Sequence, residues 1–122
     1  MRSPSEHVVT EPNKLPISVI AFMRAHVDHV VKLKFLVTLH SAPGGTTSVA
    51  LVARVLDVPK SQVRDMANEL ADGNLVRVST EYLELAPASI ADRLAIADLA
   101  SWYARDRNIV LDVLRTLGRM AS

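Results

Sequence analysis

Apolar residues recur at helical spacing in several stretches of the chain, and the pair at its centre organises the rest. Val52, Ala53, Leu56, Val63 and Met66 stand where two short helices joined by a tight turn need a buried anchor, a small residue at the contact, and anchors on the second helix. The spacing predicts a helix-turn-helix. Asp57 occupies the turn, and aspartate is one of the few residues besides glycine that visits the left-handed region without heavy strain. Pro59 falls in the first turn of the second helix, where its missing N–H costs nothing, and Gly73 follows that helix as a C′ residue. The second helix is expected over 59–71.

On either side the pattern continues. Residues 1–14 carry Pro4 and Pro12 and no periodicity, so a flexible tail is expected there. Ile17, Ile20, Ala21 and Phe22 line one side of a short helix from Pro16 to about Ala25. Asp28 is placed to cap the next helix, in which Val30 to Leu39 is apolar on too many sides for a narrow stripe, with Lys32 and Lys34 pointing away from the apolar neighbours. That helix should be the most buried. Ser41 to Gly45 stops it, and Thr46 or Thr47 is expected to cap a helix over Ser48 to Leu56. After the second motif helix, Leu75 to Val78 and Tyr82 to Leu85 flank Ser79-Thr80-Glu81 and read as a short β-hairpin with Glu81 and Glu84 near its tip.

Pro87 ends the hairpin, and Ser89 to Asp92 opens a last helix expected to reach about Leu117, with Gly118 as its C′ residue. At 1.5 Å per residue such a helix would span roughly 40 Å, more than one small domain can cover. Ile96, Leu99, Tyr103, Val110, Val113, Leu117 and Met120 keep a 3,4 spacing interrupted at Asp106, so a homodimer through residues 90–117 is expected. A break near Asp106 to Asn108 would instead fold the second half onto its own chain. The expected organisation is a tail (1–14), a winged helix-turn-helix (15–87) and a dimerisation helix (88–122). The fold class is mainly α with a small β-hairpin.

Composition narrows the function. There is no cysteine, which excludes disulfides and thiolate metal sites. The longest clean apolar run, Val19 to Met23, is far too short to span a bilayer, so no membrane partner and a cytoplasmic location are expected. The formal net charge of +1 leaves no strong electrostatic footprint for nucleic acid. From Pro43 to Pro87, Arg54, Lys60, Arg64 and Arg77 face Asp57, Asp65, Glu69, Asp72, Glu81 and Glu84, so the central module is net acidic.

The chemistry-bearing candidates are polar and non-catalytic. Helix-turn-helix proteins lay the start of the second helix in the major groove, where Arg and Lys read guanine and Gln and Asn read adenine. Lys60, Ser61, Gln62, Arg64 and Asn68 are the residues available there. Thr46 and Thr47 are placed to touch a phosphate at a helix N-terminus, and Arg77 is the candidate contact from the hairpin. His26 and His29 are spaced to share a helix side, but two ligands do not make a metal site, and packing or exposed histidines are the expectation. Pro43 to Thr47 is glycine-rich without the lysine of a phosphate-binding loop. Trp102 and Tyr103 read as aromatic anchors. With no paired carboxylates and no nucleophile with a spaced base, neither an enzyme nor a cofactor or metal is expected.

With Val30 to Leu39 as first core helix, Ser48 to Leu56 and Lys60 to Leu70 as paired helices and Leu75 to Leu85 as wing, about half the chain resembles the bacterial winged-helix transcription regulators of the MarR and ArsR types. The resemblance implies a homodimeric DNA-binding transcriptional regulator whose second motif helix enters the major groove through Lys60, Ser61, Gln62 and Arg64. The same scaffold also serves as a protein-interaction module that binds no DNA.

Overall fold

In the computed structural model, which describes residues 15–121 and side chains through Gly118, the centre is a helix with one broad face in the core. Helix α1 spans Ile17–His26 and α2 spans Val30–Ser41. On α2, Leu33, Phe35, Leu36 and Leu39 are at most 1% exposed, as its wide apolar pattern requires. The expected tail at 1–14 lies outside the described residues.

Both helices depart from expectation in detail. On α1 the buried ridge is Val19, Phe22 and Met23, while Ile17 and Ala21 face outward. Pro16 accepts the N–H groups of Val19 and Ile20 and so starts the helix; the i, i+3, i+4 set beginning at Val19 is the one turned inward. The cap of α2 is His29, whose Nδ1 accepts the Val31 N–H at 3.1 Å. Asp28, expected in that role, lies one residue too early and instead meets Lys32 at 2.9 Å. Lys32 does not point away from its neighbours: it is 8% exposed, its stem covered and its ammonium held by carboxylates.

The glycine-rich segment forms a 3-10 turn, Pro43–Gly45, and leads into a strand not anticipated from the sequence, β1 (Thr46–Ser48). Helix α3 (Val49–Leu56) follows, capped by Ser48, whose Oγ accepts the Leu51 N–H at 3.0 Å. Neither Thr46 nor Thr47 is the cap, because both are spent in β1. Helix α4 (Lys60–Asp72) packs against α3, with Val52, Ala53, Val63 and Met66 buried at the junction side and Leu56 half-buried. Pro59 is the N-cap of α4 rather than a residue of its first turn.

Strands β2 (Val76–Val78) and β3 (Tyr82–Leu85) form the expected hairpin, and β1 adds to its other side in the order β1-β3-β2, all antiparallel. Among the described residues the chain is therefore mainly helical with one small three-stranded antiparallel sheet.

Helices α3 and α4 end alike. After α3, Val58 N–H reaches Ala53 O at 3.0 Å and Asp57 N–H reaches Arg54 O at 3.3 Å, with Asp57 left-handed (φ 58). After α4, Leu75 N–H reaches Leu70 O at 3.0 Å and Asn74 N–H reaches Ala71 O at 2.9 Å, with Asn74 left-handed (φ 62). These are paired Schellman closures that satisfy the last carbonyls of each helix. Gly73, expected in the C′ role, keeps an ordinary φ of −86 and leaves that role to Asn74.

The last helix is not continuous. Helix α5 (Ile90–Arg105) stops at Asp106, whose extended backbone (φ −151, ψ 82) ends it and whose carboxylate accepts the Ile109 N–H at 3.4 Å to start α6 (Arg107–Ala121). Helix α6 packs on α5 and α1 and buries Val110 and Leu114. Gly118 lies inside α6 and is not its C′ residue. The premise of one 40 Å helix too long for its own domain is corrected: Ile96, Leu99 and Val110 spend their surface within the chain.

Candidate nucleic-acid interface

Helix α4 has two faces set by its sequence. Val63, Met66, Ala67 and Leu70 follow the i, i+3, i+4, i+7 pattern and are buried, which leaves Lys60, Ser61, Gln62, Arg64 and Asn68 exposed together with Asp65, Glu69 and Asp72. Five of the eight candidate contacts thus come from one exposed helix. The basic members sit at its start and the acidic ones mainly farther along.

Lys60 and Arg64, one turn apart, line a cleft of about 40 Å³ with Ser48, Val49, Ala50 and Glu81. The hairpin tip is tied there by its backbone, because Glu81 O accepts the Val49 N–H at 2.9 Å. Glu81 is thereby placed beside the two cations of α4. Sequence reasoning placed it only at an acidic hairpin tip, since nothing local signals that β1 draws the tip onto α3.

The remaining candidates are dispersed. Arg77 is exposed on β2, but its guanidinium lies 3.4 Å from Glu84 across the hairpin. It lines a second cleft of about 180 Å³ with Thr46, Ser79, Tyr82 and Glu84. Thr46 is exposed, with its Oγ1 at 3.5 Å from Gly44 O. Thr47 is a correction: at 9% exposure it is turned inward opposite Leu83, because alternation along β1 places it on the core side. Its side chain is not available to a phosphate.

One carboxylate of α4 is already engaged. Glu69 holds the Lys32 ammonium at 2.6 Å, and Asp28 holds it from the other side. Burial pushes the Lys32 pKa down, but the hydrogen bonds its ammonium donates to Glu69 and Asp28 outweigh it and leave the group above its ordinary value. The Lys32 hydrogen bond holds the Asp28 carboxyl below its ordinary value. This bridge fixes α4 against the start of α2.

The histidines do not form a pair. His26 ends α1 with its ring 5.0 Å from Phe22, whereas His29 caps α2. Among the described residues no group of three His, Cys, Asp or Glu is placed to hold a metal ion, and no helix is long and apolar enough to cross a membrane. Trp102 and Tyr103 are half-buried, and arginines from either side of the α5–α6 break lie over them: Arg105 at 4.6 Å from the Trp102 ring and Arg107 at 5.3 Å from the Tyr103 ring. Comparison with protein-family models, curated proteins and solved structures finds no match.

Proposed function

We propose that the chain is a winged helix-turn-helix, with α3 and α4 as the motif and β2–β3 as the wing, acting as a DNA-binding transcriptional regulator. The observation that carries this reading is the exposed array Lys60, Ser61, Gln62, Arg64 and Asn68 on one helix whose opposite face is anchored in the core. These side chains supply the donors and acceptors that major-groove edges require. Arg77 and Thr46, which line a separate cleft on the sheet, are the further phosphate contacts. The chemistry is binding alone, without cofactor or metal.

A palindromic site takes two such helices, so the reading includes a homodimer. Ile90 and Leu94, 75% and 60% exposed one turn apart on α5, are the large apolar residues from the expected 90–117 interface that the chain leaves exposed. Light scattering at tens of micromolar tests this part; a monomer removes it.

Titrating a mixed-sequence duplex at about 50 and 200 mM salt tests the main reading. Neutralising several phosphates makes affinity fall steeply over that range. No binding at the lower salt rejects it. A protein-interaction module is the second reading, favoured by Val55 and Leu51, which stand 56% and 37% exposed one turn apart on α3. Association with a protein partner that is insensitive to salt would select it.

A further inference from the structure

We propose that Glu81 is a built-in counter-charge to Lys60 and Arg64, weakening their hold on phosphate and limiting the basal affinity of the reading face. The inference rests on the nucleic-acid reading of α4 and adds a residue that this reading does not use.

Three observations converge. Glu81 lines the same 40 Å³ cleft as Lys60 and Arg64. Its position is set by the fold and not by side-chain wandering, because its carbonyl takes the Val49 N–H and the adjacent Tyr82 is paired with Ser48 across the sheet. Finally, no carboxylate lies within 4.0 Å of Lys60 or Arg64 among the described residues, whereas Lys32 and Arg77 have such partners. Glu81 therefore shares the cleft without closing an ion pair. A carboxylate on a residue of the same cleft, beyond ion-pair contact but within a Debye length, lowers the local potential that would gather phosphate, yet leaves both cations able to reach outward. A nucleic-acid backbone entering beside α4 meets the two cations and this anion together, and the anion's repulsion acts on every phosphate regardless of base.

The test uses Glu81→Gln, which removes the charge and keeps the shape; Glu81 is exposed and its fold-fixing contact is made by its backbone, so the variant should fold as the parent does. Asp98→Asn, an exposed residue of α5, changes the net charge equally elsewhere. The probes are immobilised heparin and a mixed-sequence DNA duplex. Glu81→Gln is expected to elute from heparin at higher salt and to bind the duplex roughly 3- to 10-fold tighter at low salt, with Asp98→Asn close to wild type. In a Lys60→Gln, Arg64→Gln background the gain should vanish. Equal elution of Glu81→Gln and wild type overturns the proposal, as does a gain that Asp98→Asn reproduces or that survives loss of both cations. A heparin gain that depends on Lys60 and Arg64, with no duplex binding by any of these proteins, keeps the counter-charge and removes the DNA reading.

Discussion

Gly73 lies against the His26 imidazole so closely that a Cβ on it would stand 3.1 Å from Nδ1 and 3.2 Å from Cε1. What the glycine supplies is space and not conformation, since its φ of −86 suits any residue. Phe22 packs against the same ring, with centroids 5.0 Å apart, and restricts its movement. Gly73→Ala should therefore lose about 1 kcal/mol, the crowding outweighing the smaller gain from a stiffer unfolded chain. Urea unfolding measures it, and adding His26→Ala should remove most of the alanine's own penalty. A double variant that shows no such coupling would detach the two residues.

Asp57 carries the opposite problem, conformation without crowding. Its left-handed φ of 58 is one that a Cβ makes costly. Asp57→Gly should raise stability by a few tenths to about 1 kcal/mol, and Asp57→Val should lower it by about 1–2 kcal/mol. Thermal melts of the two variants should move in opposite directions; movement in the same direction would contradict the closure described for α3.

The bridge at Lys32 sets a pH dependence with two limbs. Asp28 is depressed below its ordinary 3.8, so its contribution is present above that value and is lost as pH falls through the folded pKa. Lys32 is raised above its ordinary 10.5, so its contribution is complete below that value and is lost as pH rises through the folded pKa. Asp28→Asn should flatten the acid limb, and Lys32→Met should flatten both. Chemical denaturation across pH 3 to 11 reads the limbs, and an Asp28→Asn profile superimposable on wild type below pH 4 would show that the pair contributes nothing there.

On the proposed nucleic-acid reading, removing Lys60 or Arg64 should weaken duplex binding without unfolding the protein. Lys60→Ala and Arg64→Ala are each expected to cost on the order of 1–3 kcal/mol in affinity and to reduce the salt slope by about one. Thr47→Val, at a buried position, should leave affinity unchanged. If neither cation variant differs from a wild type that binds duplex, α4 is not the contact.

Helix α6 belongs to the core of its own chain. Leu114 is 8% exposed beside Val110 at 0%, so Leu114→Ala should cost about 2–5 kcal/mol. A melting temperature within error of wild type would mean that α6 is not seated as described.

The sequence revealed elements whose signals are local and repeated. The anchors at Val52, Ala53, Val63 and Met66, the left-handed turn at Asp57 and the hairpin around Ser79 to Glu81 all follow from spacing and turn chemistry. So does the exposed face of α4, because burying Val63, Met66, Ala67 and Leu70 leaves its other side outward. What was illegible depends on distant partners. Three residues of β1 are too few to show alternation, and the strand exists through β3; its presence moved the helix cap to Ser48 and turned Thr47 inward. Lys32 gave no sign of burial, since Glu69 arrives from another helix. The break at Asp106 was visible only as a lapse in periodicity, which fitted either a continuous helix or two, and packing on α1 and α5 decided for two.

Strand β1 enters α3 directly, β2 follows α4, and β3 pairs with both, so one strand closes the chain over the helix pair. Joining Ser48 to Tyr82 brings together residues on opposite sides of both helices, a long-range contact whose loop entropy must be met before the ladder forms. The two helices and the hairpin are therefore expected to open as one cooperative unit, with the β3 amides exchanging with solvent deuterium at the rate of the α3 and α4 amides.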